Sequence, residues 1–181
     1  MNALLECRKV KRTALLPALL LGGVLSAAFP VVLLLVREDA YIHLPGKPLD
    51  ILFSAGWPTM TLINVFLIVL GACILYHVEF SGHAIQRMDT LPLRPGGLIV
   101  GKFVLLSLSC VVVFALEGAA LYFCAARWFR VAGGFLPTLT KAMAYSFLLT
   151  LPVVSVMLLI SSLCQNMWVT LGIGVIGVFA A

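Results

Sequence analysis

Charge is scarce in this 181-residue chain, and acidic charge most of all. Seven Asp and Glu stand beside twelve Lys and Arg; charged residues make up 10% of the sequence and hydrophobic ones 62%. Soluble domains carry about 25% charged residues. So little charge does not clothe a globular surface in water, so lipid must solvate much of the chain, in keeping with its mean hydropathy of +1.14. Catalytic patterns are missing as well. No GxSxG, no HExxH and no carboxylate pair in a polar pocket appears, so nothing supports an intramembrane enzyme. Cys7, Cys73, Cys110, Cys124 and Cys164 are odd in number and scattered, without a CxxC, and read as small hydrophobes rather than a disulfide framework.

Long apolar runs fill the space that charge leaves. A span needs about 20 apolar residues at 1.5 Å rise each. On that measure the spans fall at about 14–36, 57–76, 98–126, 142–163 and 167–181. The last run is about 15 residues, short of a full crossing, so the sequence reads as one membrane domain over 1–181 that stops inside a fifth span. The first run follows a basic start, as a secretory signal would, but it is long for a cleavable signal and carries Pro17 and Pro30. It reads as an uncleaved span.

Arg8, Lys9, Lys11 and Arg12 directly precede that run and place the N-terminus in the cytoplasm. Alternation then puts Arg87, Arg94 and Lys102 inside, and Arg37, Lys47, Arg127, Arg130 and Lys141 outside. The net charge of +5 points to anionic headgroups. It does not point to nucleic acid, because no basic face interleaved with aromatics lies outside the spans. Residues 1–13 read either as a surface helix, with Ala3, Cys7, Val10 and Ala14 at helical spacing, or as a plain charged anchor. In the first outer loop, 37–50, Pro45, Gly46 and Pro48 argue against any regular element. That loop is a connector or a contact for an external ligand.

The polar interruption at 77–97, HVEFSGHAIQRMDTLPLRPGG, is the best meeting place for a soluble partner. Ala84, Ile85, Met88 and Leu91 fall on one stripe of a short helix, with Gln86, Arg87 and Asp89 elsewhere. Gly82 precedes the stripe, Pro92 and Pro95 end it, and Gly96 and Gly97 swivel the chain into the next span. The predicted element is a two-turn amphipathic helix lying on the inner surface.

Two sites need weighing. Gly96–Lys102 nearly matches the phosphate-binding pattern GxxxxGK[ST], but Phe103 stands where the magnesium-binding hydroxyl belongs. The match is rejected, and Lys102 reads as a snorkelling residue at the inner boundary. Any ATP and Mg therefore belong to another chain. Glu117 is the one carboxylate well inside a span, about eight residues, or roughly 12 Å, from its outer end. An intramembrane acid is a candidate functional site: it holds a cationic substrate, or it steadies the bundle by pairing with Lys141. Cys73, His77, Glu79 and His83 are too loosely spaced to read as metal ligands. Ser107, Ala115 and Ala119, with Val111 between them, suggest a close-packing face on the third span.

Three segments in order carry a resemblance: LLECRKVKRTALLPALL at the start, 79–102 in the middle, and ISSLCQNMWVTLGIGVIG at 160–177. Together they resemble the ABC-2 type permease subunits, particularly the lantibiotic-immunity and bacitracin-resistance group. The resemblance implies an all-α polytopic bundle of six spans, about five of them present here. It implies a partner permease, the same or homologous, and two ATP-binding cassette ATPase subunits that carry ATP and Mg. It also implies that Glu79 and the helix bearing Ala84, Ile85, Arg87, Met88 and Leu91 form the ATPase-coupling element. In the immunity group such a transporter clears antimicrobial peptides from a bacterial plasma membrane. Two other readings remain open: an ion or small-solute transporter or channel without an ATPase, for which Glu117 and Asn64 are the polar span residues, and a membrane scaffold.

Overall fold

The computed structural model describes residues 15–42, 46, 48–81, 95–129, 134–164 and 166–180. These residues form helices only: α1 (Leu15–Val36), α2 (Glu38–Ile42), α3 (Pro48–Ser81), α4 (Pro95–Trp128), α5 (Phe135–Leu163) and α6 (Met167–Ala180). Among the described residues, α1, α3, α4 and α5 are long and apolar enough to cross a membrane, and Met167–Phe179 is a shorter apolar helix. An all-helical outcome follows from the solvent. Lipid offers no partner for backbone N–H and C=O groups, so each span must satisfy its own.

The helices outrun the apolar segments. At 34 residues each, α3 and α4 span about 51 Å, against a hydrocarbon core of about 30 Å. The second span was expected to begin near residue 57, yet its helix begins at Pro48. Proline suits a first helical turn because its missing N–H would have no partner there, and Asp50 in that turn complements the positive end of the helix dipole. The segment 37–50 therefore holds less irregular chain than its prolines suggested, since Glu38–Ile42 is helical as well, with Glu38 and Asp39 in its first turn. Pro95 likewise opens α4, so Gly96 and Gly97 lie inside a helix rather than in a swivel. Helix α5 starts at Phe135, upstream of the apolar run at 142–163. Gly134, at φ 108°, adopts a backbone conformation that favours glycine, and its carbonyl accepts from the Thr138 hydroxyl at 2.9 Å. Asn166 caps α6 by accepting from the Trp168 N–H at 3.0 Å.

Contacts group into two compact units. One comprises Leu20–Asn64 and Val111–Leu149; the other comprises Met1–Leu19, Val65–Cys110 and Thr150–Ala181. In the first, Leu34, Leu52, Met60, Phe114, Leu121, Cys124, Phe135, Leu139 and Met143 form the core. Phe53 meets Trp57 edge-on at 4.6 Å between ring centroids, and Phe114 meets Phe147 at 6.0 Å. In the second, Leu15, Leu106, Val69, Val154 and Leu158 are fully buried or nearly so. There Gly174 sits so close to its neighbours that a Cβ would fall 2.5 Å from Val69 Cγ1 and 2.8 Å from Met157 Cε.

Helix α4 buries one stripe: Lys102, Leu106, Cys110, Val113, Phe114, Glu117, Leu121, Cys124 and Ala125. The spacing of three and four is that of a helix face. Ala115, Ala119 and Val111 lie on the exposed side instead, while Ser107 is partly buried with its hydroxyl enclosed, so most of the small-residue face does not pack α4 against the described residues. Both charged residues in the stripe point inward, as an ionisable group in a span must.

Candidate functional site

The site is built by three helices of one unit. On α1 the buried positions are Leu15, Leu19, Gly23, Ser26, Pro30 and Leu34, again at helical spacing. Gly23 brings this helix close to α4: a Cβ there would lie 3.1 Å from Val113 Cγ2. One turn further along both helices, Ser26 reaches Glu117. Its hydroxyl donates to Glu117 Oε1. From α3, the Asn64 side-chain amide donates to Glu117 Oε2 at 3.0 Å. Ser26 and Glu117 are 0% exposed and Asn64 is 6% exposed.

This arrangement satisfies a group that would otherwise be costly. A buried carboxylate must be hydrogen-bonded, and hydrogen bonds to a charged group contribute about 1.5–3 kcal/mol each. Several other span hydroxyls serve their own helices: Thr61 donates to the Trp57 carbonyl, Ser109 to Leu105, Ser146 to Ala142 and Ser155 to Leu151. Ser26 instead donates across to another helix. Each carboxylate oxygen of Glu117 is taken and no face of the residue is open. That geometry links α1, α3 and α4 through one carboxyl group. Lys141, the partner considered from sequence, is exposed on α5.

Asn64 was legible as a polar residue inside a span, whereas Ser26 was not singled out. Its signal is present: it is the one hydroxyl on the buried stripe of α1. Of the coupling-element residues, Ala84, Ile85, Arg87, Met88 and Leu91 lie outside the described residues, as does the N-terminal segment 1–13. Glu79 falls in the last turn of α3, and its side chain is not among those described.

Gly96–Lys102 forms the opening turns of α4, a helical run rather than a loop of amides around a phosphate. Lys102 does not snorkel. It is 2% exposed, and its Nζ stands 3.3 Å from the centre of the Tyr76 ring. A desolvated cation over an aromatic face gains about 2 kcal/mol or more. Among the described residues no group of three or more His, Cys, Asp or Glu is placed to hold a metal ion.

The family described as ABC-2 family transporter protein matches residues 4–181. The chain belongs to that family. ABC-2 permeases are typically non-catalytic, and they generally pair with ATPase subunits carried on other chains. With four long apolar helices among its described residues, this member is a multi-pass membrane protein and a transporter membrane component. No curated protein and no solved structure matches it.

Proposed function

We propose that this chain is the permease half of an ATP-driven exporter in a bacterial plasma membrane, working with a second permease and two ATPase subunits that bind ATP and Mg. The observation that carries the reading is the family match over residues 4–181 on a scaffold of four long apolar helices. The segment from Glu79 through Ala84, Ile85, Arg87, Met88 and Leu91 docks on the ATPase, lying on the cytoplasmic side with the N-terminus. ATP-driven closure of the ATPases moves this segment, and the spans switch as rigid bodies between inward and outward states. Substrate must bind one state better than the other for net movement. The substrate class is a lantibiotic-like antimicrobial peptide, supported by the resemblance of 79–102 and 160–177 to the immunity group. The buried tie at Glu117 keeps α1, α3 and α4 together during the switch.

Co-purification tests the docking. The chain is expected to retain its ATPase subunit, and Ile85→Asp with Met88→Asp is expected to release it. Equal recovery from both would sink the docking role. A peptide-killing assay on cells with and without the transporter tests the substrate class: equal survival under a panel of lantibiotics would remove it.

A further inference from the structure

Helix α3 ends at Ser81 and α4 begins at Pro95, on either side of residues 82–94. Shortly before that segment the two helices are joined by a directed contact, Lys102 Nζ over the Tyr76 ring at 3.3 Å. One turn deeper they approach closely: a Cβ on Gly71 would fall 2.6 Å from Leu106 Cδ1. Gly71 with Leu106 and Tyr76 with Lys102 are in antiparallel register along one seam, inside one compact unit. Lys102 is among the largest fully buried side chains of the chain. Apolar side chains in lipid can slide past one another, because moving them exposes nothing to water. A desolvated ammonium cannot leave its ring without losing its electrostatic seat.

We propose that Lys102 is a positioning residue whose seat on Tyr76 locks the ends of α3 and α4 into one stem, so that a push on residues 82–94 moves both helices together. The inference rests on the docking role proposed above for that segment. Without the lock, the same push splays the two helix ends apart and the spans beyond them stay put.

The test reads the stem directly. Val78 on α3 and Val100 on α4 are exposed and take spin labels through Val78→Cys and Val100→Cys, with the native cysteines replaced by alanine. The full chain is reconstituted with its ATPase subunit in lipid nanodiscs, and the label-to-label distance is measured without nucleotide and with ATP and vanadate. The unmodified pair, Lys102→Arg and Tyr76→Phe are expected to keep one narrow distance in both states. Lys102→Met and Tyr76→Leu are expected to retain the ATPase but to splay when ATP and vanadate are added. The splayed fraction should rise about thirtyfold, the shift expected from losing a desolvated cation–π contact. Narrow distances in Lys102→Met in both states overturn the proposal. Equal broadening with and without nucleotide also overturns it, because a pair that only stabilises the fold behaves that way. Failure of the unmodified chain to retain the ATPase removes the docking role, and this inference with it.

Discussion

Asn64 on α3 donates its side-chain amide to Glu117 Oε2 on α4 at 3.0 Å, while Ser26 on α1 holds the other carboxylate oxygen. Three polar residues, far apart in sequence, thus meet in a setting that is otherwise hydrocarbon. The consequence is a tie that depends on all three members at once.

Removing the acceptor strands both donors. Glu117→Ala is expected to destabilise the bundle by about 1–3 kcal/mol for each stranded donor, read as a lower unfolding temperature in detergent. Replacing the whole cluster with apolar groups, Glu117→Leu with Asn64→Leu and Ser26→Ala, is expected to cost less than Glu117→Ala alone, since nothing polar is then left unpaired. A milder effect for Glu117→Ala than for the triple variant contradicts the tie.

A bulky side chain at Gly23 should act on the same cluster from outside it. Gly23→Val drives a branched group into Val113 and wedges α1 away from α4, drawing Ser26 off Glu117. Overpacking of this kind costs about 1–3 kcal/mol. Combined with Ser26→Ala, Gly23→Val is expected to add less than its single effect, because the hydrogen bond it breaks is already gone. Full additivity would show that the wedge does not work through Ser26.

Helix α6 offers a matched pair of glycines. Gly174→Ala places a methyl against Val69 and Met157, and Val69 is β-branched and cannot readily swing clear. The expected loss is about 1–3 kcal/mol. Gly177 has nothing within 4 Å, so Gly177→Ala is expected to be neutral or to stabilise by about 1 kcal/mol through helix propensity. Thermal unfolding of the two variants side by side decides the matter, and equal melting temperatures would contradict the packing of α6.

Thiol labelling checks the cysteines. Cys73, Cys110 and Cys124 are buried, while Cys164 is partly exposed at the joint between α5 and α6. In a Cys7→Ser background a membrane-permeant maleimide is expected to modify Cys164 before the others. Faster modification of Cys110 or Cys124 would contradict their burial.

Composition and run length, by themselves, determined that this chain is helical and membrane-embedded. A shortage of charge leaves lipid as the solvent, and lipid admits only self-satisfied backbone, so the long helices among the described residues follow from the apolar runs and extend beyond them. Those ends ran over because hydropathy marks where the oil is, whereas a helix continues into polar sequence until its geometry fails. Pro48 and Pro95 read as breakers in the sequence, but they stand in first turns, where a proline costs nothing. The position of Glu117 inside a span was equally plain. Which groups would meet it was a matter for the tertiary structure alone. Lys141 had the complementary charge but is exposed on its helix, while Ser26 carries no charge to announce it and reaches Glu117 because Gly23 lets two helices close. Lys102 shows the same division. Its rank as a cation near a span boundary can be read from the chain, but its seat on Tyr76 exists only because α3 and α4 run antiparallel in one register, which no local pattern encodes.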